Sequence, residues 1–382
     1  MDKPKSVGII GGGQLGMMLL EAAKNKSNEV KYTTLEASED CPARPLTDHF
    51  ILGSLKDADA IKKLSEVSDV MTWEIEHIDV KTLISLEDQG QSIIPKPSVL
   101  EIIGDKGTQK KFYESNHVPT APFKLMSKDN LEGLNELRGE RVVVKSRTGG
   151  YDGKGVSIVK KEELLNGYIP FDGDWMVEEF VENVKELAII VAVDTHGGEI
   201  TYPSIDMYFN PESNLVEFLY SPSVLDAELL IQAEQIAKQA VTCLNSPGLF
   251  AVELFITSEN EIWVNEMAPR PHNSGHHTIE GCVTSQFAQL NNILLGEKVG
   301  STDLIKPSAM INVVGPEGWE GSYQLENKEI WDASEDVFVH LYNKRVSKPH
   351  RKLGHVTVVS DDVDSLIQRA REVQKELRII PS

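Results

Sequence analysis

The chain has few cysteines, a shortage of positive charge and no long apolar run, and each of these narrows its possible roles. Its three cysteines, Cys41, Cys243 and Cys282, are scattered without C-x-x-C spacing, which fits reduced thiols in a cytosol rather than a disulfide framework. Lysines and arginines number 38 against 59 aspartates and glutamates, and the net charge of −21 repels nucleic acid and anionic membrane surfaces.

No segment is long and apolar enough to suggest a membrane span, and the opening MDKPKSVGIIGGG holds too short an apolar stretch for a signal peptide. We therefore expect a cytoplasmic protein that binds neither nucleic acid nor membrane. A small anionic substrate is compatible with the charge.

The first hundred residues alternate short apolar strands with helices. Strands are predicted at 6–10, 30–35, 70–73 and 92–94, and helices at 17–24 and 80–89. Because Pro95 and Pro97 break this α/β pattern, we expect the first domain to end near Gly104. Gly11, Gly13 and Gly16 have the G-x-G-x-x-G spacing, and Glu36 follows 20 positions later, as in a dinucleotide-binding fold.

Beyond Gly104 the pattern changes to paired strands, typical of an α+β domain. We predict that 142–145 pairs with 156–160 and that 175–181 pairs with 187–194. A helix at 227–244 precedes a hairpin of 249–257 and 261–267. After Gly300, strands at 309–314, 337–341 and 355–359 lead to a helix at 364–377. A chain of 382 residues is long enough for two or three such domains.

A glycine-rich loop, RTGGYDGKG at 147–155, lies between two predicted strands. Glycine lets the backbone approach an anion, and Lys145, Arg147 and Lys154 supply positive charge, so the loop is suited to closing over phosphates. A flexible hairpin without a ligand is the alternative interpretation.

The predicted hairpin of 249–257 and 261–267 would oppose two carboxylates. If Glu259 and Asn260 form a two-residue turn, Glu253 lies opposite Glu266, where the two charges repel unless a cation lies between them. Magnesium suits such oxygen ligands, with neutral contacts from Asn265 and Asn273. The alternative is a longer turn with one glutamate in solvent.

Two further segments carry polar groups suited to anions. The loop MAPRPHNSGHH at 267–277 contains two prolines, so His272 and His276 are not a helical zinc pair, and its Arg, His and Asn suit a small oxyanion. The segment 340–355 has five lysines and arginines and no acidic residue, which suggests a site for a compact anion such as a phosphate monoester, and a solvated basic face is the alternative.

With these motifs the chain resembles the ATP-grasp ligases, and among them the N5-carboxyaminoimidazole ribonucleotide synthetases of purine biosynthesis. The resemblance runs through GGGQLG at 11–16, DKGTQK at 105–110, KSRTGGYDGKG at 145–155, NEMAPRPHNSGH at 265–276, and HLYNKR with RKLGH at 340–355. It implies an ATP-grasp fold with a Rossmann-like domain at 1–104, an ATP-grasp domain at 105–297 whose mobile lid covers about 119–185, and a C-terminal domain at 298–382.

The implied activity is the ATP-dependent carboxylation of 5-aminoimidazole ribonucleotide with bicarbonate, through carboxyphosphate, in IMP synthesis. ATP and Mg²⁺, with Mn²⁺ as a substitute, are the implied cofactors, and related enzymes are homodimers. Phosphoryl transfer depends on positioning and charge more than on a protein nucleophile, in keeping with the glycines and cations of these motifs.

The resemblance also implies a role for each motif residue. The implied ATP contacts are Lys106, Lys145, the lid residues Gly150, Tyr151, Asp152, Gly153, Lys154, Gly155 and Val156, the adenine segment Glu178, Glu179, Phe180 and Val181, the ribose ligand Glu186, and Asn265 and Glu266. The implied metal ligands are Glu253 and Glu266. The implied carboxyphosphate contacts are Arg270, His272, Asn273, Lys344 and Tyr151. The implied contacts of the ribonucleotide are Gly13, Gln14, Leu15, Gly16, Glu74, Glu76, Arg351 and Lys352.

The chain departs from the family pattern at three positions. Met17 stands where the family has arginine, and Asn343 and His350 stand where it has glycine. Two other enzyme classes are alternatives. A nicotinamide-dependent oxidoreductase would use Gly11, Gly13, Gly16 and Glu36, and a formate-using glycinamide ribonucleotide transformylase would share the ATP-grasp fold.

Overall fold

The first part of the chain is a parallel sheet covered by helices. The computed structural model describes residues 4–24, 29–150, 155–182, 184–209 and 216–382. The elements of this part are β1 Ser6–Ile10, α1 Gln14–Lys24, β2 Lys31–Glu36, β3 His49–Leu52, α2 Ala58–Glu66, β4 Val70–Trp73, α3 Val80–Asp88, β5 Ser92–Ile93 and α4 Ser98–Ile103. The parallel strand order β3-β2-β1-β4-β5 confirms the predicted Rossmann-like fold.

The central strands of this sheet are short apolar runs because both of their faces are covered. Val7, Ile9 and Ile10 of β1 are fully buried, as is Met71 of β4. The helix α1 begins at Gln14, three residues before its predicted start. The glycine turn therefore passes directly from a buried strand to a helix N-terminus.

A small antiparallel sheet follows. Its elements are α5 Lys106–Ser115, β6 Phe123–Ser127, a 3₁₀ turn Leu134–Glu136, β7 Arg141–Ser146, β8 Val156–Lys160, α6 Lys161–Leu165 and β9 Asp174–Glu179. The strand order is β6-β9-β7-β8. The predicted pairing of 142–145 with 156–160 is confirmed, with Val142 opposite Val159.

The predicted pairing of 175–181 with 187–194 is wrong. The strand β9 lies between β6 and β7, and Trp175 and Val177 pack with Val142 and Val144 in the core of the small sheet. The next strand, which starts at Lys185, belongs to a different sheet. The strands β9 and β10 therefore belong to different sheets and do not form a hairpin.

The large sheet occupies most of the remaining chain. Its elements are β10 Lys185–Val193, β11 Glu199–Thr201, β12 Ile205–Phe209, β13 Val216–Ser221, α7 Ala227–Thr242, β14 Gly248–Ile256, β15 Ile262–Ala268, a 3₁₀ turn Asn273–Gly275, α8 Thr278–Gly281, α9 Gln286–Leu294, β16 Ser308–Val314, β17 Tyr323–Leu325, α10 Lys328–Asp332, β18 Val337–Leu341, β19 Lys352–Val359, α11 Val363–Glu376 and β20 Ile379–Pro381. The order is β15-β14-β10-β12-β13-β16-β19-β18, with β11 beside β10, while β17 pairs with β20.

This sheet is continuous across position 297, where a domain boundary is expected from the sequence. The strand β13 pairs with β16, with Phe218 opposite Ile311 and Tyr220 opposite Ala309. Residues before and after the expected boundary are thus joined by strand hydrogen bonds. Within the described ranges, no helix combines the length and apolarity that crossing a bilayer requires.

Candidate active site

The β14–β15 hairpin brings Glu253 and Glu266 opposite each other, as predicted, but by a different route. The predicted two-residue turn is wrong. Ile256 pairs with Ile262, and the wider turn contains Asn260 at φ 61°, a left-handed conformation that asparagine tolerates. A register shift next to Glu253 compensates for the wider turn and restores the opposition of the two glutamates.

The two carboxylates have opposite electrostatic environments. Burial, followed by the charges of Glu266 and Glu186, raises the pKa of Glu253 to about 8. An ion pair with the Lys106 ammonium lowers the pKa of Glu266 to about 2. His272 Nε2 lies 3.6 Å from Glu253 Oε1. In the protein alone the pair thus favours one carboxylate and one carboxylic acid.

A buried ion triad connects this hairpin to the small sheet. Lys145 Nζ lies 2.9 Å from Asn265 Oδ1 and 2.8 Å from Glu178 Oε1, and the other carboxylate oxygen of Glu178 is 3.2 Å from Lys110 Nζ. Burial lowers the pKa of Lys110 to about 8. Although burial acts to raise the pKa of Glu178, the charges of Lys110 and Lys145 hold it below its ordinary value.

Sequence reasoning gave Lys110 no role. The sequence feature that could have pointed to Lys110 is its spacing of four residues from Lys106. Residues four apart on a helix lie on the same face, so both lysines share a face of α5. Asp105 caps that helix by accepting from Thr108 N–H at 2.9 Å and also pairs with Arg147 at 2.8 Å.

The predicted adenine segment places its acidic side chains on opposite faces of β9. Glu178 faces the lysines, whereas Glu179 accepts from Arg138 N–H at 2.7 Å and from Arg138 Nε at 3.1 Å. The Phe180 ring lies under the Arg141 guanidinium at 4.3 Å. Of this segment, Glu178 is therefore the carboxylate directed at the site.

The predicted ribose ligand and the edges of the phosphate loop are also described. Burial raises the pKa of Glu186, at the start of β10, to about 7. Gly155 has φ 80°, a conformation open to glycine, and its carbonyl accepts from Ser146 N–H at 2.8 Å. Gly150 and Val156 flank the loop, while its predicted contacts Tyr151, Asp152, Gly153 and Lys154 lie outside the described residues.

The loop after β15 reaches the N-terminal domain. Arg270 Nε lies 2.8 Å from Glu76 Oε1. This ion pair joins Arg270, predicted to contact carboxyphosphate, to Glu76, predicted to contact the ribonucleotide. His272 Nδ1 lies 2.9 Å from Ser274 Oγ, and Asn273 opens the 3₁₀ turn, half-buried.

The glycine turn of the first domain is bound by carboxylates. Glu74 accepts from the amides of Gly13 and Gly16, the latter at 2.6 Å, and burial raises the pKa of Glu74. Gly12 N–H donates to Glu36 Oε2 at 2.9 Å. In the protein alone these amides are thus bound to carboxylates of the chain itself, and a phosphate at this turn, whether of a dinucleotide or of a ribonucleotide, would have to displace those carboxylates.

The C-terminal segment meets the same turn. Lys344 Nζ donates to Gln14 Oε1 at 2.9 Å and to the Lys352 carbonyl at 2.6 Å, and it lies 5.4 Å from the centre of the Tyr342 ring. Leu15 packs against the adjoining hydrophobic core. Lys344 was predicted at the carboxyphosphate, yet these contacts are with residues predicted for the ribonucleotide.

The other cations of this segment have partners of their own. Arg351 Nη1 donates to the Val346 carbonyl at 2.7 Å. Two further cations form ion pairs: Arg345 with Asp40 at 2.7 Å and Lys348 with Glu320 at 2.9 Å. Two of the five lysines and arginines of the segment are thus paired with carboxylates, whereas Arg351 and Lys344 donate to neutral carbonyl oxygens.

The departures from the family pattern have a structural explanation. Asn343 and His350 replace glycines of the family pattern. Their φ angles are 52° and 60°, in the left-handed region that glycine enters without strain. Asn343 Nδ2 lies 3.7 Å from the sulfur of Met17. Two of the three departures therefore contact each other and form one local rearrangement.

Three family models match successive parts of the chain. They are the ribonucleotide synthetase preATP-grasp domain over residues 4–104, the ATP-grasp domain over residues 111–287, and the phosphoribosylaminoimidazole carboxylase C-terminal domain over residues 308–369.

Two curated relatives differ in length. The N5-carboxyaminoimidazole ribonucleotide synthase of Bacillus subtilis is 34% identical over 95% of this chain and 93% of its own length. The chloroplastic phosphoribosylaminoimidazole carboxylase of Vigna aconitifolia is 37% identical over 94% of this chain, and the chain spans 65% of that longer protein.

Solved structures extend the likeness to three dimensions. The N5-carboxyaminoimidazole ribonucleotide synthetase of Thermotoga maritima has a TM-score of 0.89 and 39% identity over 99% of this chain and 100% of its own. The N5-carboxyaminoimidazole synthase of Aspergillus clavatus, in complex with ADP and 5-aminoimidazole ribonucleotide, has a TM-score of 0.85 and 27% identity over 97% and 99%. On this near-complete coverage, the chain belongs to the N5-carboxyaminoimidazole ribonucleotide synthetase family of ATP-grasp proteins.

Proposed function

We propose that this chain carboxylates 5-aminoimidazole ribonucleotide with bicarbonate, using ATP, to give N5-carboxyaminoimidazole ribonucleotide, ADP and phosphate in purine synthesis. One observation carries the proposal: the Lys106 ammonium of α5, the Lys145 ammonium of the small sheet and the His272 ring of the loop after β15 converge on the β14–β15 hairpin that carries the opposed Glu253 and Glu266. The family membership and the ligands named for the Aspergillus clavatus structure support the same substrates.

The carboxylate pair fits a magnesium ion. Two opposed glutamates cannot both ionise easily in the protein alone, as the raised pKa of Glu253 indicates, and a divalent cation between them removes that repulsion. Glu253 and Glu266 would hold the ion, with Asn265 beside them, and Mn²⁺ would substitute. When bound, the ion supplies positive charge to the nucleotide phosphates.

Two oxygen ligands leave most positions of such an ion to other groups. Among the described residues, no cluster of three or more histidines, cysteines, aspartates or glutamates is arranged to enclose a metal ion. This agrees with a site that needs phosphate and water oxygens to be complete, which is the usual arrangement for magnesium with a nucleotide.

Lys106 and Lys145 are the groups that would neutralise the ATP phosphates. Each now contacts a group of the hairpin, Lys106 with Glu266 and Lys145 with Asn265, so both ammonium groups are already directed at the site. In the first step a bicarbonate oxygen forms a bond to the γ-phosphorus as the bond to ADP breaks, which gives carboxyphosphate. Positive charge near the transferring group stabilises that transfer.

Arg270, His272 and Asn273 would orient bicarbonate and then carboxyphosphate. In the second step the substrate's amine bonds to the carboxyl carbon as phosphate leaves, and the nitrogen releases a proton. The Arg270–Glu76 ion pair supports this assignment because it joins the loop at 267–277, hereafter the oxyanion loop, to the N-terminal domain. In that domain Glu74 and Glu76 are predicted to hold the aminoimidazole ring. Tyr151 and the lid would exclude water, in which carboxyphosphate is short-lived.

The ribonucleotide's phosphate would lie between the glycine turn and the C-terminal segment. Lys352 and Arg351 are assigned to it, together with Gln14. The hydrogen bond between Lys344 and Gln14 favours this phosphate over carboxyphosphate as the anion that Lys344 binds. A homodimer in the cytoplasm completes the proposal, on the family resemblance.

The decisive experiment measures ADP release with Mg²⁺ for each combination of 5-aminoimidazole ribonucleotide, bicarbonate and formate. We expect strong stimulation only when the ribonucleotide and bicarbonate are both present, and a Glu253→Gln variant supplies the inactive control. Equal stimulation by formate would point to the transformylase alternative. Hydride transfer to a nicotinamide without ATP use would overturn the proposal.

A further inference from the structure

The loop that carries Arg270, His272 and Asn273 is anchored by one side chain of α9, Gln286. Its Oε1 accepts from His272 N–H at 2.9 Å, and its Nε2 donates to the His272 carbonyl at 2.8 Å. The same Nε2 lies 3.0 Å from Nδ1 of His276. Gln286 is fully buried, so a single amide fixes the backbone at His272 and the ring four residues later.

The backbone packs tightly against this amide. A Cβ at Gly275 would lie 2.4 Å from Gln286 Oε1 and 2.3 Å from Ile190 Cδ1, so the loop can pass there only as glycine. Thr278 Oγ1 accepts from Gln286 N–H at 2.9 Å and donates to the Gly275 carbonyl at 2.6 Å. Loop and helix are thus joined from both sides of the glutamine.

This anchoring fixes the backbone from which the His272 ring projects. Gln286 holds the backbone N–H and C=O of His272, Ser274 Oγ lies 2.9 Å from the ring's Nδ1, and the ring's Nε2 then faces Glu253, 3.6 Å away. Without the amide, both of these hydrogen bonds to the backbone of His272 are lost. Small displacements of a positioning group reduce rates strongly, on the order of 10² for about 1 Å.

The amide also selects the tautomer of His276. Since Oε1 takes the His272 N–H, Nε2 must face His276, and a donor at that place requires an unprotonated Nδ1. The ring is buried against His355 at 4.8 Å and Phe287 at 5.7 Å. Charged or titratable groups near it are His272, His277, His340 and Lys352.

We propose that Gln286 is a positioning residue for the carboxylation reaction. It holds the oxyanion loop so that His272 faces Glu253, and it fixes His276 as the neutral Nε2–H tautomer. This inference rests on the proposed function for its kinetic consequence, whereas the tautomer of His276 is independent of what the protein catalyses.

The test is Gln286→Met, which keeps the length of the side chain and removes its hydrogen bonds. Gln289→Met is the matched control, because Gln289 is equally buried on α9 and accepts from Gly300 N–H at 2.8 Å while donating to the Gly300 carbonyl at 3.0 Å. For Gln286→Met we expect kcat to fall at least about 10-fold and KM for ATP to stay within about twofold. For Gln289→Met we expect a similar loss of Tm with kcat within about twofold.

Histidine-selective ¹⁵N NMR supplies the second readout, with the His276 signals assigned by a His276→Gln variant. We expect the parent to show an unprotonated, hydrogen-bonded Nδ1, and Gln286→Met to lose that signature. If Gln286→Met does not fold, Gln286→Glu serves, since it keeps the acceptor for His272 N–H but not the amide donor.

Several results would overturn the inference: a folded Gln286 variant with parental kcat, an equal loss of kcat in Gln289→Met, or an unchanged Nδ1 signal. If the parent shows no ADP release with ribonucleotide and bicarbonate, the proposed function fails. The NMR comparison then still decides whether Gln286 sets the tautomer of His276.

Discussion

Replacing Glu253 by glutamine should stabilise the metal-free protein while abolishing most activity. Burial and the Glu266 charge raise the pKa of Glu253 from 4.5 to about 8, so the folded state resists ionising a group that the unfolded chain ionises readily. The parent therefore loses stability as pH rises from about 4.5 to about 8. Glutamine carries no charge at any of these pH values, and the variant avoids this loss.

The magnitude follows from linkage. One group that is protonated only in the folded state lowers the free energy of unfolding by about 1.4 kcal/mol per pH unit. Between pH 5.5 and 8 the parent can therefore lose at most roughly 3.5 kcal/mol of stability through Glu253. The Glu253 side chain is 20% exposed, which reduces the penalty, so we expect about 2–3 kcal/mol. At about 2.1 cal/mol/K per residue, the unfolding entropy is about 0.8 kcal/mol/K for the chain, and the gain in Tm at pH 8 is roughly 2–4 °C.

The assay is thermal unfolding in EDTA at pH 5.5 and pH 8 for the parent, Glu253→Gln and Glu266→Gln. Glu266 supplies a control of opposite sign, because its pKa of about 2 reflects a stabilising ion pair with Lys106. Glu266→Gln should therefore lower Tm at both pH values. Magnesium with ATP should raise the Tm of the parent and have little effect on either variant.

The reasoning is refuted if Glu253→Gln lowers Tm at pH 8, or if its difference from the parent is the same at both pH values. Near-normal ADP release by both variants would refute the magnesium assignment. Unfolding of both variants would indicate that the pair is structural.

Three other predictions concern separate parts of the site. Lys110→Met should lower the free energy of unfolding by about 3 kcal/mol, since it strips a buried partner from Glu178; urea titration measures this, and a loss below about 1 kcal/mol contradicts it. Arg351→Ala and Lys344→Ala should each raise KM for the ribonucleotide by about 10- to 150-fold without changing KM for ATP. If steady-state kinetics show that Lys344→Ala lowers kcat alone, Lys344 contacts carboxyphosphate, as the resemblance implied, and not the phosphate of the ribonucleotide. Asn343→Gly should raise Tm slightly and Asn343→Ala should lower it, because φ is 52° there, and equal Tm values would contradict this.

Elements bounded by local signals were predictable from the sequence. The strands Val70–Trp73, Val156–Lys160 and Val337–Leu341 have the predicted bounds, because each is a short apolar or alternating run between turn residues. The motifs likewise located the hairpin, the glycine turn and the loop at 267–277, and it was the resemblance that implied one shared site; the Arg270–Glu76 ion pair joins that loop to the N-terminal domain. Spacing and residue type suffice where the structure is local.

The rest depended on contacts distant in sequence. The error at β9 came from expecting consecutive strands to pair, whereas the packing of Trp175 with Val142 placed that strand in the small sheet. Glu74 binds the amide of Gly16, 58 residues earlier, and Lys110 meets Glu178 from another element. The opposition of Glu253 and Glu266 was predicted from a wrong turn, since the register shift that offsets the wider turn has no clear sequence signal.

The sheet that runs through β13 and β16 limits how the chain can be taken apart. A cut at position 297, between two family models, would leave β13 and β16 as new edges, and a graft there would pair strands from two different parents. Such edges present free N–H and C=O groups and apolar side chains, and they tend to pair with other chains. Chimaeras between relatives should therefore keep residues 185–382 from one parent, while the segment of the small sheet, 123–179, is the unit to exchange.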